Sequence, residues 1–241
     1  MVKRISTGIE GLDRLIDGGI PEGFNVLIAG GPGTGKTIFG LQFIYDGVKK
    51  GEPGIYVSFE QFREEIIEQA SQFGWNDIRN DKLFSLLSIK RKDIPSFMNY
   101  LKDEVAAKKA KRLVVDSLSL LSVYTNILED PEHVQLMDLS VDVSSKIPLD
   151  PLQLRSQTIY HLISRIKSLC TTSLIIVEQT EPDRLTKDGV SEFACDGMVI
   201  LKKIMIGRDV MRSVIVEKMR ETSINAGGHL MEFGPNGIVV K

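Results

Sequence analysis

Eight residues govern what this chain can become. Gly30-Gly-Pro-Gly-Thr-Gly-Lys-Thr37 satisfies the pattern G-x-x-x-x-G-K-[ST]. It follows an apolar run, residues 24–29 (FNVLIA), and opens a helical pattern from about Gly35 to Lys50. Strand, glycine-rich loop and helix form the context in which the pattern acquires a physical meaning. Glycines let successive backbone N–H groups converge on a phosphate without Cβ clashes, and the helix N-terminus adds its positive end. Gly31, Pro32, Gly33, Thr34, Gly35 and Ile38 would then line the phosphates. Lys36 would reach the β- and γ-phosphates, and the Thr37 hydroxyl would ligate Mg²⁺. A tight turn that binds nothing would need neither Lys36 nor Thr37.

The rest of the chain supplies the frame. Ile55–Phe59 (IYVSF), Leu83–Ile89, Arg112–Asp116 (RLVVD) and Ser173–Glu178 (SLIIVE) read as strands. Helical patterns fall between them at Phe62–Phe73, 94–110 and roughly 152–170. Strands alternating with helices predict βαβ units and a mostly parallel, buried sheet flanked by helices. The last third changes character. Residues 197–206, 210–219, 229–233 and 237–240 read as strands joined by short Gly-containing turns, an antiparallel meander closing one edge of the sheet. No repeat or linker interrupts the chain, so one domain is expected, with residues 122–152 as its long irregular insert.

Two carboxylates complete the phosphate site by position. Asp116 ends an apolar strand, which places it beside the Mg²⁺ shell. Glu60 follows the strand IYVSF, and parallel strands present their C-terminal ends to the ligand crevice. A carboxylate there can polarise the water that attacks a γ-phosphate. The alternatives are a strand-end cap for Asp116 and a solvated acid before a helix for Glu60.

Composition narrows the remaining classes. Thirty Lys and Arg against 32 Asp and Glu give a net charge of −2, less basic than a chain devoted to nucleic acid or anionic membranes. Cys170 and Cys195 form no C-x-x-C, so a disulfide framework or structural zinc is not expected. His133, His161 and His229 lack a Ser or Cys partner at a recognisable spacing, which leaves a catalytic triad without support. No run approaches the ~18 apolar residues of a membrane span, and the N-terminus lacks an apolar signal segment. The expectation is a cytoplasmic protein without a membrane partner.

Several separate motifs resemble the KaiC branch of the RecA-superfamily ATPases. They are Ile5-Ser-Thr-Gly-Ile-Glu-Gly-Leu-Asp13, Gly18-Gly-Ile-Pro-Glu-Gly23, the loop GGPGTGKT, Gly51–Glu60, Gln72-Phe-Gly-Trp75, Val114–Ser117, Gly189–Phe193 and Val216–Arg220 with Thr222. The resemblance spans nearly the whole chain. It implies a RecA-type P-loop NTPase core, ATP with Mg²⁺ as ligands, and a homo-oligomer, a hexameric ring with ATP between subunits. In that family a K-x-R-G-T motif approaches the neighbouring subunit's γ-phosphate, and here Lys218, Met219, Arg220 and Thr222 stand at its positions. Lys and Arg spaced i, i+2 on a strand share one face, so both can point at one phosphate. The other reading is an exposed basic pair on a sheet edge. The family's Gly is Glu221 here. Gln179 stands where RecA relatives place a γ-phosphate-sensing Gln. Gln61 stands where circadian KaiC carries a second Glu, which leaves Glu60 as the better base.

The activity implied is ATP hydrolysis by a regulatory or signalling ring. The autophosphorylated Ser-Thr pair of the second KaiC module falls at Glu192-Phe193, so the autokinase reaction is not expected. A competing class, a DNA-binding recombinase relative, would need basic loops. Residues 126–150 carry six acidic side chains against Lys146 alone, a net −5, and residues 180–195 are net −2. Such loops repel a phosphate backbone. The basic runs Lys90–Lys92 and Lys108–Arg112 flank predicted helices and read as solvated faces. A nucleotide-switched scaffold with slow turnover is the third class. Trp75 is expected in the core rather than on a base-stacking platform.

Overall fold

Three layers arise from one alternation pattern. A computed structural model describes residues 2–88, 94–119, 151–179, 186, 189–207 and 209–241. Most of the expected insert (residues 120–150), the basic run Lys90–Lys92 and most of the loop 180–188 lie outside the described residues, so the two acidic-loop readings are not addressed by it.

The elements are β1 (Arg4–Ile5), β2 (Ile20–Pro21), β3 (Asn25–Gly30), α1 (Lys36–Lys49), β4 (Gly54–Ser58), α2 (Arg63–Ser71), β5 (Phe84–Ser88) and α3 (Ile94–Lys108). After these come β6 (Arg112–Asp116), α4 (Pro151–Lys167), β7 (Thr172–Glu178), α5 (Ser191–Ala194), β8 (Gly197–Ile206), β9 (Asp209–Met219), β10 (Gly228–Gly234) and β11 (Gly237–Val240). The nine-stranded sheet has the order β11-β10-β9-β8-β3-β7-β6-β4-β5. Strands β8, β3, β7, β6, β4 and β5 run parallel, and β8 to β11 form the antiparallel meander that the sequence predicts. The pair β1–β2 is a separate ribbon. Two-residue strands are too short to show alternation, which is why the sequence reading passes over them.

Successive strand residues point to opposite faces, and both faces here are apolar. Val26, Ile28, Tyr56, Val114, Leu174 and Ile176 pack with Phe39, Phe43 and Ile44 of α1 and Ile66 and Ile67 of α2. Leu27, Ala29, Val57, Val115, Ile175 and Ile200 pack on the other side with α3 and α4. Trp75 is buried in the first core, stacked between Tyr45 and Phe73, as expected. Among the described residues no helix is long and apolar enough to cross a membrane.

One sequence expectation is corrected. Arg112 closes a lysine-rich run that reads as a solvated face, yet it is fully buried. Its guanidinium donates to Glu52 (2.6 and 2.8 Å), Asp46 (3.0 Å) and the carbonyls of Ser6 (2.9 Å) and Phe43 (2.7 Å). It also lies 4.7 Å over the Phe43 ring. Gly47 of α1 leaves the space, since a Cβ there would stand 2.5 Å from the arginine side chain. A buried guanidinium needs paired charge and filled donors, and this pocket supplies both.

Candidate functional site

The alternation that builds the core also builds the site. Gly30, Ser58, Asp116 and Glu178 share strand parity with Ile28, Tyr56, Val114 and Ile176, so they lie on the α1 face at the carboxyl ends of their strands. The loop Gly31–Gly35 leaves β3 there and turns into α1. Gly35 holds φ +104° before the helix, a conformation that side chains rarely adopt, and a Cβ there would meet Phe233 at 2.6 Å. No side chain caps α1 and no acid occupies its first turn, so its leading N–H groups face the loop undiluted.

Lys36 folds back and donates to the Gly31 carbonyl at 2.9 Å, as does the Thr34 hydroxyl. Burial depresses the Lys36 ammonium, while Glu178, Asp116 and Glu60, in that order, support its charge. The Thr37 hydroxyl donates to Asp116 Oδ2 at 2.9 Å, and the buried Tyr56 hydroxyl donates to the same oxygen at 2.6 Å. Burial raises the Asp116 carboxyl above its ordinary value, against the lowering by these two hydrogen bonds. Tyr56 is raised well above the usual phenol value by burial and by Asp116. Glu60 is exposed, and its Oε1 accepts the Ser117 hydroxyl at 2.6 Å. Ser58 holds the turn in between, accepting the Gln61 N–H at 2.9 Å.

The oxygen set suits a magnesium ion. Two neighbouring ligands of an octahedral Mg²⁺ stand about 2.9 Å apart, given Mg–O distances of about 2.05 Å. Thr37 Oγ1 and Asp116 Oδ2 have that separation. No cluster of three or more His, Cys, Asp or Glu competes as a metal cage among the described residues. Such a sparse set is what Mg²⁺ uses when a nucleotide's phosphates supply further ligands.

Four other predicted residues take these places. Ile38 and Met219 pack in the core, so their backbone groups are what they can offer a ligand. Gln179 follows β7, and its N–H donates to the Gly30 carbonyl at 3.1 Å. Thr222 accepts from Arg4 at 3.0 Å and donates to the Arg220 carbonyl at 3.0 Å.

Lys218 and Arg220 are not brought to this chain's own loop. Lys218 pairs with Met198, the neighbour of Leu27 in β3. The Arg220 N–H donates to the Asp196 carbonyl, and the Asp196 N–H donates to that of Asn25. Both cations therefore sit toward the amino end of β3, whereas the loop leaves its carboxyl end. Asn25 to Gly30 is six residues, whose five steps span about 16 Å of strand.

Sequence reasoning missed four residues at the loop. Glu178 neighbours Gly30 in register and is the foremost acidic influence on Lys36. Its signal was available, since it ends an apolar strand as Asp116 does. Arg212 donates to the Gly33 carbonyl at 3.4 Å and lies 4.8 Å over the Phe233 ring, with Lys203 directly opposite it on β8. Nothing in the sequence announces these, because pairing across β8, β9 and β10 brings them there.

A family model described as "ATPase: KaiC" matches residues 5–129 and 125–241. The chain belongs to the KaiC ATPase family. It is 32% identical over 240 residues to a protein of Aeropyrum pernix named "UPF0273 protein", covering 100% of this chain and 94% of that one. It is 30% identical to the "Circadian clock oscillator protein KaiC" of Parasynechococcus marenigrum, covering 99% of this chain but 45% of that longer protein. Among solved structures, a KaiC-like protein of Pyrococcus horikoshii superposes with a TM-score of 0.77 at 31% identity, over 100% of both chains. KaiC membership and the α/β fold with its antiparallel edge agree with the resemblance found in the sequence motifs.

Proposed function

We propose that this KaiC-family chain is an ATP-binding, Mg²⁺-dependent ATPase that assembles as a homo-oligomeric ring with ATP between subunits. The observation that carries the reading is the Thr37–Asp116 hydrogen bond, which closes the loop helix onto the β6 carboxylate beside Lys36 and Glu60. The loop N–H groups and Lys36 bind the β- and γ-phosphates. Thr37 and Asp116 hold the magnesium ion, which when bound neutralises charge on the β- and γ-oxygens. Glu60, oriented by Ser117, accepts a proton from the attacking water, and ADP and phosphate leave. Lys218 and Arg220 of a neighbouring subunit offset the charge that develops as the bond breaks, with Met219 and Thr222 beside them and Gln179 near the γ-phosphate. The hexameric count follows the family resemblance.

Phosphate release, nucleotide binding and particle size, measured with and without ATP-Mg²⁺, test this reading. Lys36→Ala is expected to abolish ATP binding, because Lys36 contacts the ground-state phosphates. Glu60→Gln is expected to keep ATP affinity and lose turnover, since Glu60 acts as water attacks. Equal affinity in wild type and Lys36→Ala overturns the phosphate assignment. Turnover in Glu60→Gln within about threefold of wild type moves the base elsewhere. Turnover stimulated by single-stranded DNA would favour a recombinase-like activity, and rings without turnover a scaffold.

A further inference from the structure

Far from its own phosphate loop, the chain buries one carboxylate among three cations. Asp196 precedes β8, with its side chain 3% exposed. Its Oδ1 accepts Arg220 at 3.1 Å and Lys167, the last residue of α4, at 2.6 Å. Its Oδ2 accepts the Asn25 N–H at 3.1 Å, which ties the carboxylate to the start of β3. Lys218 stands alongside, donating to the carbonyls of Cys195 (2.7 Å) and Glu192 (3.2 Å). The burial is asymmetric. The side chains of Lys167 and Arg220 are 48% and 52% exposed while the acid they share is inside.

We propose that Asp196 is the positioning residue for Arg220, and that Lys167 is the cation that lets Arg220 leave it. The inference rests on the reading that Arg220 acts on a neighbour's ATP. A flexible arginine at the end of a strand has many rotamers, and one fixed carboxylate selects those that hold the guanidinium at the surface beside Lys218. When a γ-phosphate arrives across the interface, Arg220 transfers its charge-assisted hydrogen bond from Asp196 to phosphate oxygen. A buried carboxylate abandoned by its partner is costly. Here Lys167 stays on the same Oδ1, so the acid is never left alone. Without Lys167, Asp196 would hold Arg220 back. Lys167 itself has no role in the phosphate site described above, and nothing in the K-x-R-G-T pattern points to it or to Asp196.

The test uses the full chain with ATP-Mg²⁺. Asp196→Asn keeps an oxygen for the Asn25 N–H and removes the charge. It is expected to slow turnover at least about tenfold toward the Arg220→Ala rate, while ATP affinity stays within about threefold. In an Arg220→Ala background the same change should cost nothing further, because its effect passes through Arg220. Lys167→Met, at a half-exposed site, should also slow turnover several-fold, and again not in the Arg220→Ala background. Side-chain ¹⁵N NMR of the nucleotide-free protein should show slowed guanidinium rotation at Arg220 that Asp196→Asn releases. Wild-type turnover in Asp196→Asn or Lys167→Met overturns the proposal. So does an equal loss in both backgrounds, which would mark a structural role. Arg220→Ala turning over at the wild-type rate overturns the trans reading instead, and the NMR signal then still decides whether Asp196 immobilises Arg220.

Discussion

Asp116 shows how a single residue can serve chemistry against the interest of the fold. Its carboxyl is buried and raised above its ordinary value by that burial, so the charged form needed near a metal is penalised in the free protein. A carboxyl raised in the folded state favours folding when protonated. That contribution is present below the unfolded value of 3.8 and is lost as pH rises through the folded value. Asp116→Asn, neutral at every pH and still able to accept from Thr37 and Tyr56, should therefore stabilise the nucleotide-free protein at neutral pH. A gain of about 1 kcal/mol corresponds to ~2–4 °C for a chain of this size. The difference from wild type should shrink as the pH falls toward 3.8, while turnover is lost. A thermal melt series over pH checks both signs. Glu221 makes the opposite point. It stands where the resembled K-x-R-G-T motif has Gly and holds φ +55°, the left-handed conformation that Gly adopts freely, so a side chain in the turn after β9 costs about 1–2 kcal/mol.

At the scale of elements, Arg112 couples three pieces of chain that meet nowhere in sequence. Through one guanidinium it joins the start of β6, the last turns of α1 and the segment after β1. Because α1 starts in the phosphate loop and β6 ends in Asp116, this junction anchors the far ends of both elements that form the site. Arg112→Ala would leave Glu52 with its two hydrogen bonds broken and a pair of carbonyls without their donor. The expected loss is about 3–5 kcal/mol, read as a lower urea midpoint with an unchanged slope. Lys111→Ala is the control one residue away. Lys111 is exposed and pairs weakly with Glu22 at 3.7 Å, so its removal should change stability by about 0.5 kcal/mol or less. Equal losses at the two positions would refute the buried junction.

At the scale of the molecule, the sheet separates the phosphate loop from the two cations proposed to act on a neighbour's nucleotide. The phosphate loop, Asp116 and Glu60 stand at the carboxyl ends of the parallel strands, while Lys218 and Arg220 lie toward the other end. A chain with the two at opposite ends can complete a site by head-to-tail association, which closes into a ring when the rotation is right. Mixed assemblies of Glu60→Gln and Arg220→Ala subunits test this. In an equal random mixture, about a quarter of the interfaces would pair an intact Glu60 with an intact Arg220. Turnover should recover to about that fraction of wild type, well above the sum of the two separate variants. Absence of rescue, in rings shown to be mixed, would mean that Arg220 acts within its own subunit or not at all.

What the sequence by itself determined was everything local or periodic. The loop Gly30–Thr37 needs a short run of residues to announce itself, and short apolar, β-branched runs placed β3, β4, β6 and β7 within a residue of their observed limits. Asp116 and Glu60 were legible because strand ends in a parallel sheet share one crevice. Tertiary structure alone decided which residues would meet across long separations. Arg112 read as one more charge in a basic run until α1 and the segment after β1 closed over it. Arg212 and Phe233 reached the phosphate loop through the pairing of β8, β9 and β10, and Asp196 collected Lys167 from a helix and Arg220 from a strand. The physical reason is that hydrophobic periodicity encodes the face a residue occupies but not its neighbour on that face, which is set by sheet order and register.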